Sequence, residues 1–409
     1  MASEGISPFL HSWRPALREP AADVMSSYQL AAARAIETIQ NSGWISGGIE
    51  QAIASTIGTG LRLAAKPDEK ALGWSPDMAS EWARQVESRW ENYANRPTEC
   101  DVRGESTLGK LTAQALRSYF AYGEITAALP YRRRPGGQYG TKLQMISPPR
   151  LTQEIIPPNL FYGVRRDDVG FPLAYRIRSP VDGYTPYEVR EIPARDGYGR
   201  PQFMLVFDGV VGQPRGISPM VAVLKVLRQY EQLSDATLTQ ALIQAIFAAS
   251  IKSPDPTEVT LQAFQEFAEQ QLAKDKTGGQ PPTSIEALFE LRGGYYEGTK
   301  IDLERHGKIA HLAPGDELTF HGNMTPNAIY ESFVRVLLRE IARALGVTFE
   351  EMTGDFSNAT YSSVRMATST IWGIVQYRRA NLLGPLLSGV YEAWLGRRST
   401  TGGRRSPVA

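Results

Sequence analysis

"LLREIARALGVTFEEMTGDFSNATYSSVR", residues Leu337 to Arg365, holds two changes of backbone state in one stretch. Ile329, Phe333, Leu337, Ile341 and Leu345 recur every four residues, which sets them along one side of an α-helix. Thr325 and Pro326 supply a cap and a first-turn proline for that helix, and Gly346 supplies its stop. From Val347 to Tyr361 the chain reads as a loop, because Gly354, Asp355, Ser357 and Asn358 favour turns. From Ser362 to about Leu395 the pattern is helical again. The stretch therefore predicts two rigid helices joined by a segment that can change shape.

Working outward, a second long helix lies upstream. Ser218 and Pro219 start it, and no Gly or Pro follows until Pro254, so it can run to about Ser250. Its apolar positions, Met220, Leu224, Leu227, Leu238, Ala241 and Ala245, fall at helical spacing. At 1.5 Å per residue it would be roughly 45–50 Å long, more than an ordinary globular helix. Between the two helices, Lys252 to Asn323 reads as a Gln- and Glu-rich helix ("LQAFQEFAEQQLAKD"), a "TGGQPPTS" loop and strand-like pieces ending in "AHLAPGDELTFHG". Before Gly216 the pattern is α+β. Helix formers from Ala21 to about Ser55 are interrupted by "NSGWISGG", and "IGTGLRL" reads as a turn or strand. Asp77 to Asn95 is a helix carrying Trp82 and Trp90, and short strands such as "LQMIS", "LAYRIRS" and "FMLVFD" follow between Gly123 and Asp208. The closing "GRRSTTGGRRSPVA" lacks the apolar content of a core and is expected to be disordered.

Composition narrows the function. The 409 residues carry 44 basic and 43 acidic side chains, so no net field draws the chain to nucleic acid or to an anionic membrane. The N-terminus lacks the basic-then-apolar order of a signal peptide, and the best apolar run, Leu238 to Ile251, is too short to span a bilayer. One cysteine, Cys100, allows no internal disulfide, which fits a soluble protein of a reducing compartment.

Chemical motifs are thin. "GESTLGKLT" (Gly104 to Thr112) approaches the phosphate-cradling P-loop pattern, but Leu111 stands where the magnesium-binding hydroxyl belongs, and a polar stretch precedes it in place of a buried strand. Thr107 reads instead as the cap of a helix through Leu111, Ala115 and Tyr119. His306, His311 and His321 lack metalloprotease spacing. Cys100 falls in a polar turn with no histidine near it in sequence, and no G-x-S-x-G elbow occurs. No cofactor, metal or catalytic residue is assigned.

Several blocks, taken in order, resemble the portal proteins of tailed bacteriophages, in the lambda-like branch. They are "IGTGL", "CDVRGESTLGKL", "YGE" (Tyr122 to Glu124), "YGVRRDDVGFPLAYRI" (Tyr162 to Ile177), "GQPRGIS" (Gly212 to Ser218), "LAPGDELTF" (Leu312 to Phe320) and the opening stretch. The resemblance covers roughly residues 28 to 395, and "GDFSNATYSSVR" is its most specific part. It implies a portal-type α+β subunit: an N-terminal arm (1–27), a mixed wing (28–215), stem helices (216–250 and 325–346) with a clip (251–324) between them, a tunnel loop (347–361), a helix returning to the wing (362–396) and a disordered basic tail (397–409). It further implies a ring, usually of twelve subunits, at one capsid vertex of the virion. The ring would assemble in the host cytoplasm, with a terminase large subunit, a head–tail adaptor and a major capsid or scaffold protein as partners, and double-stranded DNA passing non-specifically. Lambda-like portals usually continue past the position of Trp394, so a C-terminal crown is expected to be short or absent.

That placement sets the site expectations. Glu350, Glu351, Asp355, Ser357 and Asn358 would face DNA in the channel, where acids disfavour sticking of phosphate; Asp355 has a local turn-capping role as the alternative. Gln265, Gln270, Gln271, Thr277 and Gln280 would form the clip's partner surface. The rival readings are a head–tail adaptor ring, for which the chain is long, and a packaging ATPase, supported only by the near P-loop.

Overall fold

The computed structural model describes residues 16–179, 188–246, 249–252, 317–320, 328–357 and 359–399. The chain divides into two compact units, Met1–Gln229 with Val334–Ala409, and Tyr230–Phe333. The second unit interrupts the first in sequence, and both boundaries fall inside helices.

The first unit opens with helices α1 (Pro20–Asn41) and α2 (Gly43–Ile57). The expected break at "NSGWISGG" shrinks to Ser42 alone, and Gly47 and Gly48 stay helical. At Gly48 packing offsets the poor helix propensity: a Cβ there would stand 2.5 Å from Leu345 Cδ1, so glycine lets that side chain pack this closely. Next come α3 (Glu69–Leu72), α4 (Pro76–Asn95, capped by Ser75), α5 (Pro97–Cys100) and α6 (Leu108–Tyr122). Thr107 caps α6 as expected, accepting from the Lys110 amide at 3.3 Å. Helices α1 and α2 pack on α6, burying Ala32, Ala35, Ile45, Ile49, Leu111, Ala115 and Leu116.

Two antiparallel sheets follow. β1 (Glu124–Ala128) sits between β2 (Gln144–Ile146) and β8 (Phe203–Phe207). The second sheet is a meander of β3 (Ile155–Ile156), β4 (Leu160–Phe161), β5 (Val164–Arg166), β6 (Pro172–Ser179) and β7 (Glu188–Pro193). Ala128, Ile146, Leu151, Val164, Tyr175, Ile177, Ala194 and Phe203 form a core shared by both sheets, with the Tyr175 and Phe203 rings 4.6 Å apart. The mixed α+β character expected from sequence is present.

Ser218 and Pro219 begin a short 3-10 turn, and α7 (Leu224–Ile246) starts after it. In the second unit β9 (Ala249–Lys252) pairs antiparallel with β10 (Glu317–Phe320), and the hydroxyls of Ser234 and Tyr330 meet at 3.3 Å. Helix α8 (Ala328–Leu345) leads back to the first unit and ends at Gly346. The expected Thr325 cap lies outside the described residues. The last run, α10 (Tyr361–Arg378), a π turn (Arg379–Leu383) and α11 (Gly384–Ser399), is continuous and passes the expected end at Leu395. Arg397, expected in a disordered tail, is helical and buried because its guanidinium donates to the Leu129 carbonyl at 2.8 Å. Trp394 anchors this helix, its ring 5.3 Å from Trp90 and 5.9 Å from Tyr93.

Candidate functional site

The segment between α8 and α10 is more structured than a loop. Thr348 accepts from the Glu351 amide at 3.0 Å, and the Glu351 carboxylate accepts from the Thr348 amide at 3.1 Å. This reciprocal capping box nucleates helix α9 (Phe349–Thr353). Met352 is buried, α9 packs on α2, and the Arg339 guanidinium lies 5.4 Å from the centre of the Phe349 ring. Turn chemistry resumes only at Gly354. Asp355 then does two things. Its Oδ1 accepts from the Ser357 amide at 3.0 Å and from the Ser357 hydroxyl, and its Oδ2 lies 3.4 Å from Arg335 Nη2 on α8. The Ser357 hydroxyl, its amide and the Arg335 charge hold the Asp355 carboxyl below its ordinary pKa.

The five residues expected to face DNA therefore separate. Glu351 is committed to a helix cap, and Asp355 to its local turn and to Arg335. Glu350 is half-buried and Ser357 exposed; Asn358 lies outside the described residues. So do Gln265, Gln270, Gln271, Thr277 and Gln280, and with them His306, His311 and His321.

The start of the segment is fixed by a side chain from α10. Arg378, buried on α10, donates Nη2 to the Leu345 carbonyl at 2.7 Å, at the C-terminus of α8, where a cation complements the helix dipole. Its guanidinium also lies 4.9 Å from the centre of the Phe120 ring. Burial lowers the Arg378 pKa, with Tyr119 opposing.

A second constellation was not legible as a site in the sequence. Arg215 and Glu124 are both buried. Arg215 Nε donates to Glu124 Oε2 at 2.9 Å, Nη1 to the Tyr162 carbonyl at 3.4 Å, and Nη2 to the Tyr28 hydroxyl at 3.0 Å and the Pro148 carbonyl at 3.1 Å. Arg215 Nη2 also meets Glu124 Oε1 closely. Glu124 accepts in addition from the Tyr28 hydroxyl at 2.9 Å and the Gly216 amide at 3.0 Å. Burial and the Glu124 charge raise the Tyr28 pKa, so its hydroxyl stays a donor. Three blocks quoted above, "YGE", "YGVRR" and "GQPRGIS", thus converge on one buried ion pair. Their glycines are part of the fit: a Cβ on Gly123, whose φ is +82°, would lie 2.0 Å from the Ile217 carbonyl carbon. The signal in sequence was a charged residue beside glycine in two distant blocks.

The near P-loop is filled by the chain itself. Asp101 is buried, and its carboxylate accepts from the amides of Arg103 (3.1 Å), Glu105 (3.0 Å) and Ser106 (3.1 Å). The Glu105 and Ser106 amides, at the start of the would-be phosphate cradle, are occupied by this carboxylate, while Lys110 is exposed. Cys100, expected in a polar turn, is buried at the end of α5, and burial pushes its thiol up to about 12. Among the described residues no group of His, Cys, Asp and Glu is arranged to hold a metal, and no helix is long and apolar enough to cross a membrane.

Comparison with known proteins gives a consistent result. The family model described as phage portal protein, lambda family, matches residues 7–379. Portal protein B of Escherichia phage lambda is 25% identical over 397 residues, covering 96% of this chain and 73% of that protein. The portal protein of Escherichia phage N15 is 25% identical over 406 residues with the same coverage. Among solved structures, the neck of an empty gene transfer agent particle matches with a TM-score of 0.49 and 13% identity, covering 91% of this chain and 82% of that one.

Proposed function

The chain belongs to the lambda family of phage portal proteins, and from that membership we propose that copies of it close into a ring, of twelve subunits, around a channel for duplex DNA at a capsid vertex. The family match over residues 7–379 carries this reading. The surface supports it: Val336 on α8 and Tyr361, Met366, Trp372 and Tyr377 on α10 are exposed in the single subunit, more apolar surface on two helices than a monomer is expected to leave open. A ring needs different faces toward its two neighbours, and two helices with exposed apolar residues supply them.

In this reading residues 28–215 and 362–396 form the wing, 216–250 and 325–346 the stem, and 251–324 the clip, with Gln265, Gln270, Gln271, Thr277 and Gln280 toward the terminase large subunit and later the head–tail adaptor. The wing would meet the major capsid or scaffold protein, and assembly would take place in the host cytoplasm before incorporation into the virion. Residues 347–361 border the channel as a short capped helix followed by a turn, with Glu350 as the acid free to act on passing phosphates. Electron microscopy of the purified protein tests the proposal. Closed rings with a channel of about 20 Å or more, the width a B-form duplex needs, are expected. A monodisperse monomer at several salt concentrations would overturn it.

A further inference from the structure

The near-cancelling charge of the whole chain hides a local imbalance. In "PYRRRPGGQYG" (Pro130 to Gly140) three arginines follow one another, and Arg132, Arg133 and Arg134 are all exposed. The hairpin that carries them is rigidly built. Tyr131 and Thr141 form an antiparallel bridge; the Arg132 amide donates to the Gly140 carbonyl at 2.6 Å, and the Lys142 amide to the Pro130 carbonyl at 3.0 Å. The Gly137 amide closes the tip on the Arg134 carbonyl at 3.0 Å. The carboxylate that holds the hairpin, Glu99, is buried and accepts from the amides of Gln138 and Tyr139 at 2.9 Å each, with Lys142 Nζ at 3.7 Å. It is therefore committed inward and leaves the arginine charges unneutralised. Arg133 Nε donates to the Tyr131 hydroxyl at 3.1 Å and Arg134 to the Val102 carbonyl. Among the described residues no carboxylate forms an ion pair with any of the three. On the adjoining turn exposed Arg103 and Glu105 cancel.

We propose that the Arg132–Arg134 hairpin is a contact for the phosphate backbone of duplex DNA. Guanidinium groups pair bidentately with phosphate, a duplex offers a charge about every 1.7 Å of its axis, and a fixed hairpin loses little entropy on binding it. Such a contact reads no sequence. Attraction of this kind holds DNA in place, so the hairpin suits a stationary duplex and not the wall along which DNA slides. The choice of DNA over an acidic protein rests on the portal reading; the cationic site rests on the geometry.

The test uses the full chain and a labelled random-sequence duplex, with affinity followed by fluorescence anisotropy as salt is raised. Each phosphate contact contributes a slope of about 0.9 to log K against log salt. R132A/R133A/R134A should flatten the slope by about 2–3. R132Q/R133Q, which leaves Arg134 on Val102, should flatten it by about 1.8. Wild-type slopes in both variants, or no duplex binding by the wild type, would overturn the proposal. So would loss of polyglutamate binding with duplex binding unchanged, which would assign the surface to an acidic protein. Ring counts by microscopy on the same samples keep the two readings apart: intact rings with unaltered DNA binding sink only the hairpin contact, and absence of rings in the wild type sinks the portal assignment.

Discussion

Arg215 and Glu124, 91 residues apart in sequence, meet as a buried ion pair in which every guanidinium nitrogen has a partner. The pair ties the start of β1 to the segment that opens α7, and Tyr28 brings α1 to the same point. Removing one member strands the other's charge in the interior. Arg215→Ala or Glu124→Gln should each cost about 3–5 kcal/mol, read by denaturant unfolding. The double variant should cost much less than the sum of the two. Additive losses would show that the two side chains act independently.

Gly123 and Gly48 predict a ranking. A Cβ at Gly123 meets backbone of Ile217, whereas one at Gly48 meets the tip of the Leu345 side chain. Backbone cannot yield and a leucine tip can. Gly123→Ala should therefore destabilise the fold far more than Gly48→Ala, and thermal unfolding of the two variants checks the order.

Glu350 separates channel charge from folding. Its neighbours Glu351 and Asp355 hold a helix cap and an ion pair, so replacing all three acids mixes two effects. Glu350→Lys alone should leave rings intact and slow DNA translocation, with a milder defect as salt rises and screens the phosphate attraction. Packaging at the normal rate at low salt would show that Glu350 does not meet DNA.

Lys110 and Thr107 test the structural reading of the near P-loop. Lys110→Ala should leave ring formation, packaging and stability unchanged and reveal no ATP-dependent stabilisation. Thr107→Ala, which removes the cap of α6, should cost about 1 kcal/mol. Saturable ATP binding lost with Lys110 would reverse this reading.

Asp355 sets a pH signature. Its pKa in the folded chain lies below its unfolded value, so its contribution is fully present above the ordinary carboxylate pKa of about 3.9 and is lost as pH falls through the lowered value. The stability gap between wild type and Asp355→Asn should be constant near neutrality and close below about pH 4. A gap that persists in acid would place the effect elsewhere.

Much of the architecture was legible because periodicity and capping are local. Thr107 and Gly346 begin and end elements where sequence placed them, and the short strands of the mixed half appear as expected, whereas the helix expected from Ser218 to about Ser250 spans Leu224–Ile246 after a 3-10 turn that Ser218 caps. Misreadings arose where tertiary contact overrides local preference. Gly48 remains helical with Leu345 packed against it. Thr348 and Glu351 form a capping box inside a stretch whose turn formers suggested only a loop. The Arg215–Glu124 pair was invisible as a pair, since burial is decided by partners far along the chain, although both residues lay in blocks already singled out.

The interruption of one unit by another also bears on synthesis. Trp90, Tyr93 and Tyr139 complete their aromatic cluster with Tyr391 and Trp394, which the ribosome delivers long after them. A nascent chain that has made everything up to α7 still lacks the helix that seals its own interior. Translation order thus withholds a sealed interior until α11 has been made, and a chain terminated before it would carry its unsealed aromatics to chaperones and proteases instead of into an assembly.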